Sequence, residues 1–113
     1  MKNKLIAILE KYGFPVFLQG TLNPEEAYPE TFITFWTDSV DGSKHFENET
    51  TLFDWTFSII LYSSNPETVN TLPEVMRADL KAAGFIPQGK GFDIASGRPT
   101  HTGWAMDVIG IEI

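Results

Sequence analysis

These 113 residues contain no cysteine. That excludes disulfide frameworks, thiolate nucleophiles and Cys-based zinc sites together. Long apolar runs are missing too, and no stretch approaches the roughly 20 apolar residues that a membrane span requires. The opening MKNKLIAILEKYGF sets basic residues before a short apolar stretch, as a signal peptide would. Its apolar part is only Leu5 to Leu9, Glu10 follows at once, and no small-residue cleavage site appears. A soluble, intracellular chain is the expectation. Base is scarce as well: eight Lys and Arg stand against fifteen Asp and Glu, for a net charge of −7. Specific nucleic-acid binding, which needs a basic footprint, is not expected.

The imbalance sits in one segment. Between Glu25 and Asp54 lie eight acids (Glu25, Glu26, Glu30, Asp38, Asp41, Glu47, Glu49, Asp54) and one base, Lys44, while the rest of the chain balances seven against seven. The plainest reading of such a segment is a solvated acidic surface that aids solubility.

Signatures of catalysis are absent in turn. GKGFDIASG has glycines but misses the dinucleotide fingerprint and precedes no helix, and Walker-type Gly-Lys-Ser/Thr does not occur. There is no G-x-S-x-G elbow. Fifteen aromatic residues fall mostly at inward strand positions, without the basic neighbours of a nucleic-acid stacking platform.

What is present is periodicity. Leu5, Ile8, Leu9 and Tyr12 share one helical face over 2–12, and Gly13, Phe14 and Pro15 supply a stop. PVFLQ reads as a short strand and GTLNPEEAYPE as a turn-rich connection. TFITFWT (31–37) is a β-branched and aromatic strand, expected to be covered on both faces. DSVDGSKHFENET (38–50) carries the Asp41-Gly42 turn signal and reads as an exposed hairpin end. In LFDWTFSIILYS, Phe53, Trp55, Phe57, Ile59 and Leu61 alternate with Asp54, Thr56, Ser58 and Ile60, the clearest strand of the chain. Asn65-Pro66-Glu67 opens a second helix whose stripe, Val69, Leu72, Met76, Leu80 and Ala83, runs to Gly84, and Pro73 is expected to kink it without a slip of register in preference to a fresh start near Thr71. FDIA and GWAMDVIGIEI close the chain as strands, with Gly110 marking a bulge or a close backbone approach. The expectation is a single α+β domain over 1–113: an antiparallel (mixed) β-sheet with two helices packed on one face, in the order α-β-β-β-α-β-β, and a projecting hairpin arm at 38–50.

Two constellations could carry chemistry. His101 precedes the last strand and Asp107 lies six positions on, about 20 Å along an extended strand, too far for an acid/base pair. Asp107 shares a strand face with Ala105 and Ile109, so it is expected to need a partner, with Arg98 and Lys90 as candidates. His45, Glu47 and Glu49 would project to one side if extended, a donor set suited to a hard metal, but they lie in a turn-rich acidic stretch with nothing to hold them rigid. No catalytic, cofactor-binding or metal residues are expected, and no cofactor. The chain reads as a protein without an active site.

Three stretches together resemble one family: the N-terminal helix running into YGFPVFLQ, the strand ending LYSSNPETV before a helix closing LKAAGF, and PTHTGWAMDVIGIEI at the end. In order and length they look like the small tail-completion or tail-terminator proteins of long-tailed bacteriophages and prophages. That resemblance implies an α+β structural protein, not an enzyme, made in the bacterial host cytoplasm and ending in the virion. It implies a self-assembled ring, commonly a hexamer, at the head-proximal end of the tail. Its partners would be the tail tube and the head connector, with no membrane and no specific nucleic acid. The residues expected at the interface are Asp38, Asp41, Lys44, His45, Glu47 and Glu49, then Glu25 and Glu26 in the 20–30 connection. Two other readings compete: an acidic interaction module or inhibitor without a ring, and a small metal-dependent enzyme using His45, Glu47, Glu49, His101 or Asp107.

Overall fold

A computed structural model describes residues 1–18, 29–44, 51–95 and 100–112. The elements are α1 (Lys2–Glu10), β1 (Val16–Leu18), β2 (Thr31–Lys44), β3 (Thr51–Ser63), α2 (Pro66–Ala82), β4 (Ile86–Pro87), β5 (Phe92–Ala95) and β6 (Thr102–Glu112). The six strands form one mixed sheet in the order β1-β2-β3-β6-β4, with β5 also pairing to β6. The fold is α+β as expected, with two corrections. A two-residue strand, β4, adds a third strand after α2. The pairing is also not a simple antiparallel meander, because β1 runs parallel to β2, Val16 opposite Ile33 and Leu18 opposite Phe35.

Local chemistry explains α2. The Asn65 side chain accepts a hydrogen bond from the Glu67 amide (3.1 Å), and Pro66 occupies the first turn, where its missing N–H costs nothing. At the other end the Phe85 amide donates to the Leu80 carbonyl (2.9 Å) and the Gly84 amide to that of Lys81 (3.1 Å). This closure requires the left-handed φ of +98° that Gly84 supplies. Pro73 lies inside the helix, buried, and the helix runs through it.

The core lies between the helices and one sheet face. Leu5 and Leu9 of α1 and Met76 and Leu80 of α2 pack with Ile33 and Phe35 of β2, Phe57, Ile59 and Leu61 of β3, and Met106 and Val108 of β6. The two helices are also tied to each other: the Tyr12 hydroxyl donates to Asp79 Oδ2 (2.6 Å), and Lys11 Nζ lies 3.1 Å from the same oxygen. The phenol and ammonium hold the Asp79 carboxyl below the usual carboxylate range. Burial and the adjacent carboxylate push the Tyr12 phenol up. Gly110 marks a close approach and not a bulge. The β3–β6 register runs unbroken past it, and a Cβ there would strike the Phe85 ring and the Met1 sulfur.

Candidate interface: the projecting hairpin

Strands β2 and β3 are 14 and 13 residues long, more than twice the usual strand length of about 5–6 residues. Their ladder runs from Thr31↔Ser63 to Lys44↔Thr51. This corrects the expected hairpin end: Asp41 and Gly42 sit in the ladder, opposite Asp54 and Phe53, so their turn signal is not used as a turn. One register shift, between Thr37 and Ser39, places the extra residue of a β-bulge at Asp38. The bulge changes which residues face the helices. Beyond it Val40 opposes Trp55 and shares that face, whereas Asp41 and Asp54 point to the other.

The helix layer ends before the hairpin does. Its last contacts are at Trp55, which packs on the edge of the core, and at Glu112. The Glu112 carboxylate accepts from the Trp55 indole (3.3 Å) and from the Met1 amino group (3.1 Å). One step further out, Phe53 is 40% exposed, and Val40 on the neighbouring strand is 43% exposed. The same face that holds Phe57 at 0% and Ile59 at 1% thus carries a part-exposed apolar pair further out. Here the opposite face is acidic, with Asp41 and Asp54 directly across from each other and no cationic partner for either among the described residues. Like charges so placed repel in the isolated subunit. From Trp36 outward, moreover, the free edge of β2 has no strand partner among the described residues, since β1 covers only residues 33–35. An edge left unpaired over that length is a template for further pairing, and the bulge at Asp38 interrupts it.

Nearer the body, the second face of the sheet holds a polar cluster that sequence reasoning missed. The Ser58 hydroxyl lies 2.6 Å from Asp38 Oδ2 and 2.9 Å from Asp107 Oδ1. The Trp36 indole donates to Asp38 Oδ1 (2.6 Å). Asp107 therefore finds a partner across the sheet in Ser58 and not in Lys90, while Arg98 lies outside the described residues. One hydroxyl proton serves two carboxylates, which ties β2, β3 and β6 together. The alternation of β3 put Ser58 on the half-wet face, but the contact depends on registers that no local pattern reveals.

His101 is a fastening residue at the mouth of β6. Its Nε2 lies 2.9 Å from the Pro29 carbonyl, which can only accept, so Nε2 donates there, and Nδ1 lies 2.8 Å from the Thr100 hydroxyl. Of the other expected interface residues, Asp38 and Asp41 are exposed at the hairpin, and the backbone of Lys44 pairs with Thr51. His45, Glu47, Glu49, Glu25 and Glu26 lie outside the described residues. Among the described residues, no group of three or more His, Asp or Glu is placed to hold a metal ion. Among them, too, no helix is long and apolar enough to cross a membrane. No protein-family model matches this chain, and no curated protein matches it.

Proposed function

We propose that this chain is a structural subunit of a phage or prophage particle, a tail terminator or completion protein that works at the head–tail junction by assembling into a ring. The observation that carries the reading is the β2–β3 hairpin, which runs past the helix layer and leaves Val40 and Phe53 part-exposed on one face. A neighbouring subunit that covers them removes that apolar surface from water. An arm reaching a different patch on the next copy is a heterologous contact, the kind that closes into a ring. Subunits made in the host cytoplasm would close on the end of the tail tube, stop its growth, and present a surface to the head connector. No step of that work needs a catalytic group or a cofactor.

The acidic face of the same hairpin, Asp41 and Asp54, favours one rival: a monomeric acidic module that binds a basic partner. The two readings separate in the particle. Deleting the coding region from the phage or prophage that carries it is expected to give tail tubes of uncontrolled length and heads without tails in electron micrographs. Normal particles would contradict the terminator reading.

A further inference from the structure

Helix α2, strand β6 and the 88–91 loop enclose a cavity of about 490 Å³, a volume within the roughly 300–1,000 Å³ of small-molecule sites. One wall is the α2 stripe Val69, Pro73 and Arg77, and the other is Trp104 of β6 with Lys90 of the loop. Val69 and Pro73 are buried on a helix whose first turn is capped, and Trp104 packs against the core. The walls are also tied to each other. The Trp104 indole donates to the Lys90 carbonyl (3.0 Å) and the Arg77 Nε to the Gly89 carbonyl (3.1 Å), so the loop is held to β6 and to α2. Gly91 lets the loop close on the indole: its φ is +106°, and a Cβ there would collide with the Trp104 ring and the Ala105 carbonyl.

We infer that this cavity binds a small molecule with a flat apolar body and one carboxylate. The lining is polarised along the helix: Val69 and Pro73 are apolar, and Arg77 lies two turns from Val69, about 12 Å along the axis. An apolar body packs against Val69, Pro73 and the indole, for which a flat ring is the best match. The hydrogen bond to Gly89 does more than hold the loop. It commits Nε and fixes the plane of the guanidinium, leaving the paired Nη groups, whose parallel N–H bonds match a carboxylate. That fixed plane sets Arg77 apart from the exposed lysines of the surface, because an arginine already held in place loses little freedom on binding. Lys90 on the same rim adds a second positive charge. Glu74, also on the rim, sets a limit: its carboxylate repels an anionic ligand, and repels a doubly charged phosphate more. The ligand is therefore a monoanion.

This site is independent of the assembly reading, and either can fail alone. The test is a proton–nitrogen NMR titration of the full chain with 4-phenylbutyrate, read at the indole N–H signals of Trp36, Trp55 and Trp104. The Trp104 signal is expected to shift and saturate with a Kd of about 1 mM or below, while Trp36 and Trp55 stay in place. The alcohol 4-phenylbutanol, the same body without the charge, is expected to bind at least about tenfold more weakly. Arg77→Gln should lose at least about tenfold for the acid. Glu74→Gln should gain about two- to fivefold, a direction that misfolding cannot produce. No saturable shift at Trp104, three indoles that move together, or equal binding of acid and alcohol would overturn the site. So would an Arg77→Gln protein that holds the acid as tightly as wild type.

Discussion

The two ends of strand β3 have the same pattern and opposite fates. Phe57, Ile59 and Leu61 are buried under α1 and α2, whereas Phe53, two steps out from Phe57 in the same alternation, is 40% exposed. Nothing in the period-two pattern distinguishes them, because alternation assigns a face and says nothing of what covers it. The cover is set by the helix layer, which reaches Trp55 and Glu112 and stops. The part-exposed apolar side chains beyond the helices are the feature on which the proposed assembly rests.

The contrast can be broken by substitution. Phe57→Ala should cost about 3–5 kcal/mol, measured by urea unfolding, since a large side chain leaves a cavity under two helices. A loss below about 1 kcal/mol would mean that the covered end is not the stable end. Ser58→Ala is expected to cost about 1–3 kcal/mol, because Asp38 and Asp107 lose the hydroxyl between them while Asp107 stays half-buried. An unchanged midpoint would remove the polar bridge from the account of how the sheet is held where the arm leaves the body.

The helix layer itself has a pH signature. The Asp79 carboxyl is held below its ordinary range, so its contribution is present at neutral pH and is lost as the pH falls through the depressed value. The Tyr12 phenol is held up, so its contribution is complete below the ordinary phenol range and is lost only as alkali titrates it. Asp79→Asn should therefore melt lower than wild type at neutral pH, and the gap should close in acid. Parallel melting curves across that range would show that the Tyr12–Asp79–Lys11 tie does not hold α1 to α2. Phe53→Ser stands at the small end of the scale: its effect on unfolding should stay within about 0.5 kcal/mol, as at other exposed positions.

Much of the body was legible because its signals are local. The cap at Asn65, the glycine at 84 and the stripe through Val69, Met76 and Leu80 define α2 without reference to the rest of the chain. The alternation in β3 and the close approach at Gly110 were also readable. What escaped depends on partners distant in sequence. Three residues of β1 carry no mark of parallel pairing, and Ile86–Pro87 is too short for any pattern. The Asp41-Gly42 pair is a strong turn signal in isolation, yet the ladder to β3 and the bulge at Asp38 carry the strand through it. The bridge from Asp38 to Asp107 through Ser58 needs the registers of three strands at once. The part-exposed pair at Val40 and Phe53 escaped for the same reason, since its exposure follows from where the helices end.

The central claim is that the outer end of the hairpin exists to be covered by another copy. Multi-angle light scattering on a sizing column, with negative-stain images of any large peak, tests it most directly when wild type and Phe53→Ser are run side by side at matched concentration. The account predicts a wild-type species several times 12.7 kDa with a central hole, and a folded variant at the mass of one chain. Equal masses for the two proteins, whether large or small, would contradict it.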